Sequence, residues 1–178
     1  RKVREGICQY KDCAILYRTN AQSRMFEEKF LMANIPYKLV GGVNFYARKE
    51  IKDLLAYLKT VDNARDDLAV RRIINVPKRG IGAATITRVQ DYAVDQGISF
   101  YQALEQADQI STLGRAAAKL EPFVSFIRRL RSQAEFYSVQ ELLQQIIDDT
   151  GYVEELKAED TEEAQARIEN IDELFTKA

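Results

Sequence analysis

A mainly α fold, led by a short strand-helix-strand α/β unit, is what this sequence predicts, and three observations predict it. Gly and Pro are scarce, 8 and 3 of 178 residues, which suits long helices joined by short loops. Apolar residues recur at helical spacing over most of the chain beyond Phe45-Tyr46. Only near the N-terminus do apolar runs of strand length stand on either side of a helical stretch. With 46% hydrophobic residues the chain has enough for one full domain, or for one domain plus part of another.

After a polar lead, Cys13-Ala14-Ile15-Leu16-Tyr17 is an apolar run that fits a buried parallel strand, and Arg18-Thr19-Asn20 breaks it. From Ala21, Met25, Phe26, Phe30 and Leu31 recur at helical spacing until Asn34-Ile35-Pro36 stops the helix. Tyr37-Lys38-Leu39-Val40 reads as a second strand turning at Gly41-Gly42. Helices follow: Glu50 to Val61 and Leu68 to Val76, then the tight loop Pro77-Lys78-Arg79-Gly80-Ile81-Gly82. A helix from Ala83 to about Gln96 closes at Gly97, and Ser99 caps a short one carrying Phe100, Tyr101 and Leu104. The next is expected from about Ser111 to Phe136. Ser138-Val139-Gln140-Glu141 fits a capping box for a helix ending near Thr150-Gly151, and a last acidic helix is expected from about Thr161 to Phe175.

The absences narrow the chemistry. Zero His removes the commonest general base, the commonest zinc ligand and every Ser-His or Cys-His nucleophile system. No catalytic residue and no metal site is therefore assigned. No G-x-x-x-x-G-K-[ST] loop and no G-x-G-x-x-G follows a strand, so no complete nucleotide site is encoded. Cys8 and Cys13 read as reduced thiols, without partners for a disulfide framework or zinc site. No apolar stretch is long enough to span a bilayer, and the chain is expected to be soluble and cytoplasmic. The start at Arg1-Lys2-Val3-Arg4 reads as that of an excised piece.

Charge is segregated although Lys+Arg and Asp+Glu nearly balance at 26 and 27. The stretch Arg71 to Asp91 carries a net +4, and Asp148 to Ala178 a net −8. A basic loop and an acidic, solvated end follow.

Three constellations stand out. In Tyr17-Arg18-Thr19-Asn20-Ala21-Gln22-Ser23-Arg24 a strand delivers Arg18, Asn20, Ser23 and Arg24 to its carboxyl end, where open α/β sheets bind ligands. Such groups contact phosphates and base edges; they equally suit a polar turn with Asn20 as N-cap and Arg24 solvated. In Pro77 to Gly82, Gly80 and Gly82 let backbone amides approach a phosphate, the helix start at Ala83 favours an anion, and Lys78 and Arg79 supply charge. An ordinary interhelix turn is the other reading. Gly41 and Gly42 have the permissive dihedrals of a hinge between two rigid pieces, or of a plain connection with Phe45 and Tyr46 in the core.

Together, Leu16-Tyr17-Arg18-Thr19-Asn20-Ala21-Gln22-Ser23-Arg24, Gly41-Gly42-Val43-Asn44-Phe45-Tyr46-Ala47-Arg48-Lys49-Glu50-Ile51-Lys52-Asp53, Val76-Pro77-Lys78-Arg79-Gly80-Ile81-Gly82 and Arg167-Ile168-Glu169-Asn170-Ile171-Asp172-Glu173-Leu174 resemble the UvrD/Rep/PcrA group of superfamily 1A DNA helicases. The likeness is greatest to its Gram-positive PcrA branch. It implies that residues 1–45 are part of the RecA-like motor domain 2A and residues 46–178 most of the helical 2B subdomain. It further implies single-stranded DNA contacts at Arg18 and Asn20, and duplex-backbone contacts at Gly80, Ile81 and Gly82 with Lys78 and Arg79 adjacent. The implied parent is a bacterial, cytoplasmic 3′-to-5′ DNA helicase of repair and replication that uses ATP and Mg2+. The Walker regions, the N-Y-R-S string and the arginine-finger motif are missing from the chain, so no cofactor and no hydrolysis are expected of the fragment itself. Its expected partners are single-stranded DNA and duplex junctions, with repair proteins or RNA polymerase as further partners of a monomer. The competing class is a non-catalytic protein-interaction module whose basic loop is incidental.

Overall fold

Nine α-helices run through the described residues of the computed structural model, which are 3, 5–17, 22–40 and 44–176. They fall into two units, Arg1–Lys49 and Glu50–Ala178. The mainly α expectation holds.

In the first unit a 3-10 turn, Tyr10–Asp12, precedes α1 (Ser23–Met32). Asn34 takes a left-handed φ of 52° behind α1 and the Ile35 amide reaches back to the Phe30 carbonyl, with Pro36 blocking continuation. Phe30 packs on Tyr37 and Phe26 on Tyr17. The predicted strands do not form: residues 13–17 and 37–40 carry no ladder hydrogen bonds. A strand exists only through its neighbours. Here Leu16 is 94% and Val40 83% exposed, so neither run has a covering layer. The predicted hinge, Gly41 and Gly42, lies outside the described residues.

The second unit closes on α2 (Lys49–Asp62), whose Ile51, Leu54 and Tyr57 are fully buried. α3 (Asp67–Ile73) starts at Asp66, whose carboxylate accepts from the Ala69 amide, and stops three residues short of the expected Val76. α4 (Ala83–Gln96) ends at Gly97 in the left-handed conformation. Ser99 and Gln102 form a capping box for α5 (Phe100–Glu105), and Asp67 accepts from the Phe100 amide, joining α3 to α5. The helix expected over 111–136 is two elements. Gly114, at φ 50° and ψ −128°, breaks a 3-10 stretch, Ser111–Lys119, and only Glu121–Gln133 is α6. Helical periodicity survives such a break because the apolar residues on both sides still face one core.

Ser138 and Glu141 box the start of α7 (Val139–Thr150). Gly151 ends α7 in a left-handed turn and is also the N-cap of α8 (Tyr152–Glu159), a helix that the sequence reading leaves out. Thr161 caps α9 (Glu162–Phe175). α8 packs on α7 and α9. Two buried carboxylates of α2 tie these late helices to it. Asp53, 1% exposed, accepts from the Tyr152 hydroxyl at 2.8 Å and Arg72 Nε at 2.7 Å. Glu50 accepts from the Asn170 amide at 2.7 Å. Arg131 of α6 donates to the last carbonyls of α2, at Thr60 and Val61. Burial, with Asp53 close by, pushes the Tyr152 phenol well up, so it remains a donor. Among the described residues no helix is long and apolar enough to cross a membrane.

Candidate nucleic-acid interface

The connection from α3 to α4 is built from beneath. Asn75 sits just past the end of α3 and its side-chain oxygen accepts from two loop amides, Arg79 at 2.8 Å and Ile81 at 3.3 Å. This is local side-chain-to-backbone bonding that shapes a turn where helix bonding stops. Arg79 Nη1 donates to the carbonyls of Ile73 at 2.9 Å, Val76 at 3.2 Å, Ile74 at 3.3 Å and Pro77 at 3.3 Å. Nη2 donates to the Tyr57 hydroxyl, which in turn donates to the Val76 carbonyl. The guanidinium also lies over the Phe123 ring, 5.3 Å from its centroid. A planar cation therefore satisfies the carbonyls that the end of α3 leaves over. Burial raises the Tyr57 phenol against the opposing pull of Arg79, keeping its proton in place.

What the loop offers to solvent differs from what it holds inside. Ile81 is 2% exposed and plugs the core, while Lys78, Gly80 and Gly82 lie on the outside. Gly80 has a φ of +68°, a conformation that a β-carbon strains. Gly82 is the N-cap of α4 and supplies no side chain to the first helical amides. The Thr85 and Ile86 amides donate to the Gly82 carbonyl, and the positive end of the helix dipole lies at this exposed start. A second lysine arrives from elsewhere. Lys119, at the end of the 3-10 stretch, brings its ammonium to 3.9 Å from where a β-carbon on Gly80 would stand. Two exposed lysines, two glycines and an uncapped helix start thus share one small surface, which suits a phosphate backbone and carries no base-reading group.

The predicted residues divide accordingly. Lys78, Gly80 and Gly82 come together on that surface, and Arg79 and Ile81 turn inward beneath it. The net +4 of the surrounding stretch is partly spent inside, because Arg72 is paired with Asp53. Ser23 and Arg24 are in the other unit and both are buried. Ser23 donates to Glu27 at 2.9 Å. Arg24, 2% exposed, pairs with Glu28 at 2.7 Å and stacks 4.1 Å over the Phe45 ring. Arg18 and Asn20 lie outside the described residues. Sequence reasoning missed Lys119, Asn75 and Tyr57. Only Asn75 carried a local signal, an amide side chain two residues before Pro77 at a helix end. The other two reach the loop by tertiary packing.

The whole chain, residues 1–178, matches the family described as UvrD-like helicase C-terminal domain. It is 50% identical to the ATP-dependent DNA helicase PcrA of Bacillus subtilis over 171 residues, 96% of this chain. To PcrA of Staphylococcus aureus it is 46% identical over 168 residues, and to that of Staphylococcus epidermidis 44%, each over 94% of this chain. The chain spans 23% of the length of each of these relatives.

Proposed function

The chain belongs to the UvrD-like helicase C-terminal domain family, and on that premise we propose that it is the duplex-holding part of an ATP-dependent 3′-to-5′ DNA helicase. Residues 46–178 act as the helical 2B subdomain and residues 1–45 as part of motor domain 2A, completed by strands supplied from outside this chain. The observation that carries the reading is the underpinned loop between α3 and α4. Arg79 and Asn75 hold its shape, and Lys78, Gly80, Gly82, Lys119 and the start of α4 face outward. A preformed loop loses little conformational freedom when a phosphate docks, so modest charge suffices to grip duplex without reading sequence. Arg79 and Ile81 act as positioning residues here. Arg18 and Asn20 hold the single strand.

ATP and Mg2+ belong to the parent. The sequence has no phosphate-binding loop of its own, and no catalytic step is assigned to this chain. Purified chain is expected to show no ATP turnover above buffer.

The test is a fluorescence-anisotropy titration with a duplex bearing a single-stranded tail, over a salt series, for the chain and for Lys78→Glu. Binding that weakens with salt and drops at least about tenfold in the variant supports the reading. Equal affinity in both removes the loop from the interface. One observation favours a second reading, a protein-docking role. Phe136, 82% exposed, and Val139 flank the α6–α7 connection in solvent, as an apolar contact surface does. Retention of a partner protein that Phe136→Ser abolishes, with DNA affinity unchanged, would favour that reading.

A further inference from the structure

Cys8 and Cys13 are the chain's two cysteines, and a short turn brings their thiols together, with Sγ 3.9 Å from Sγ. The turn is well bonded. The Asp12 amide donates to the Gln9 carbonyl at 3.0 Å and the Cys13 amide to that of Tyr10 at 3.1 Å. The Asp12 carboxylate accepts from the Gln9 amide at 2.9 Å, and the Cys13 thiol donates to the Gln9 carbonyl at 3.6 Å. Both thiols are free, Cys13 exposed and Cys8 half-buried. An approach of about 2 Å separates this contact from an S–S bond.

We propose that Cys8 and Cys13 form a reversible modification site, at which a low-molecular-weight disulfide oxidises the dithiol to an intrachain disulfide. The exposed Cys13 gives its proton to solvent and attacks one sulfur of the small disulfide. A mixed disulfide forms on Cys13, and the first small thiolate leaves and takes up a proton. Cys8 then loses its proton and attacks the Cys13 sulfur, closing the protein disulfide and expelling the second small thiol. Two protein thiols are oxidised, one small disulfide is reduced to two thiols, and no other reactant is needed. The order follows access, since partial desolvation, the Cys13 thiol and the Asp12 charge all hold the Cys8 proton on. Closure pins the turn that leads into residues 13–17.

The test treats the full chain with oxidised glutathione and follows intact mass, thiol titre and peptide mapping. Expected is loss of two hydrogens and of both titratable thiols, with a Cys8–Cys13 link. The closed form should outweigh the mixed disulfide about tenfold while free glutathione stays near a tenth of the millimolar effective concentration that a short tether gives. Cys8→Ser should stop at a stable glutathione adduct on Cys13, and dithiothreitol should restore both thiols. Helical circular dichroism confirms that the variant is folded. A stable adduct on the unsubstituted chain, or disulfide-linked dimers in place of the internal bond, would overturn the proposal.

Discussion

In the Glu50–Ala178 unit, buried charge sits under helix ends and joins elements far apart in sequence, Asp53 to Tyr152 and Glu50 to Asn170. In the Arg1–Lys49 unit, the buried polar groups of α1 pair along their own helix and also meet Tyr37 and Phe45. Arg24 pairs with Glu28 on its own helix, and Ser23 with Glu27, while Leu16, Met32 and Val40 face outward. The difference teaches what makes a surface loop usable. Where polar groups are satisfied from below, the backbone above them is fixed and its outward lysines are available. Where apolar runs lack a covering layer, sequence that encodes strands remains unpaired.

The sharpest way to break this contrast is Asp53→Ala, which strands the Tyr152 hydroxyl and removes a carboxylate partner of Arg72 in one change. A loss of about 3 kcal/mol is expected in urea unfolding of the chain, against under about 0.5 kcal/mol for Leu16→Ser at an exposed site. Equal effects would mean that the buried carboxylate does not organise the second unit. Next in size is Gly80→Ala. The left-handed φ of +68° strains any side chain, and a β-carbon would meet only the mobile Lys119 ammonium. The expected cost is about 1 kcal/mol, from backbone strain alone. No change in unfolding midpoint would contradict the left-handed assignment.

Smaller still is the acid response of α7. The Ser138 amide and hydroxyl hold Glu141 below its ordinary value of 4.5, so its contribution is fully present above that pH. It fades as pH falls through the lowered native value, because protonation discards the cap contact. Ser138→Ala should weaken this acid-side loss without abolishing it, because the amide at 138 still donates to Glu141, read as the difference between variant and parent midpoints across a pH series. It should also cost about 1 kcal/mol near neutrality. An unchanged pH dependence would show that the Ser138 hydroxyl contributes nothing to holding Glu141 ionised.

Much of the helical unit was legible because its punctuation is local. Ser99, Ser138, Gly97 and Gly151 each act within one turn of the chain, and Ser-x-x-Gln or Ser-x-x-Glu can be read directly. Legibility failed where one residue serves two elements. Gly151 ends α7 and opens α8 in the same left-handed turn, so a stop signal concealed a start. It failed again at Gly114, where an apolar periodicity ran unbroken through a backbone break. The 13–17 and 37–40 runs have the length and bounding turns of strands, but pairing is a property of neighbours. At the loop, the glycines and lysine were visible, yet Arg79 looked outward because its ring partners, Tyr57 and Phe123, lie far off in sequence. Lys119 was invisible for the same reason.

The proposed division of labour puts Lys78 and Lys119 above the loop on phosphate, while Arg79 below it holds carbonyls. The direct measurement is the slope of log affinity for a tailed duplex against log salt, for the chain, Lys78→Ala, Lys119→Ala and the double variant. Each lysine is expected to flatten the slope by about one, and the double variant by about two. A slope unchanged by Lys119→Ala, or binding indifferent to both substitutions, would contradict the account.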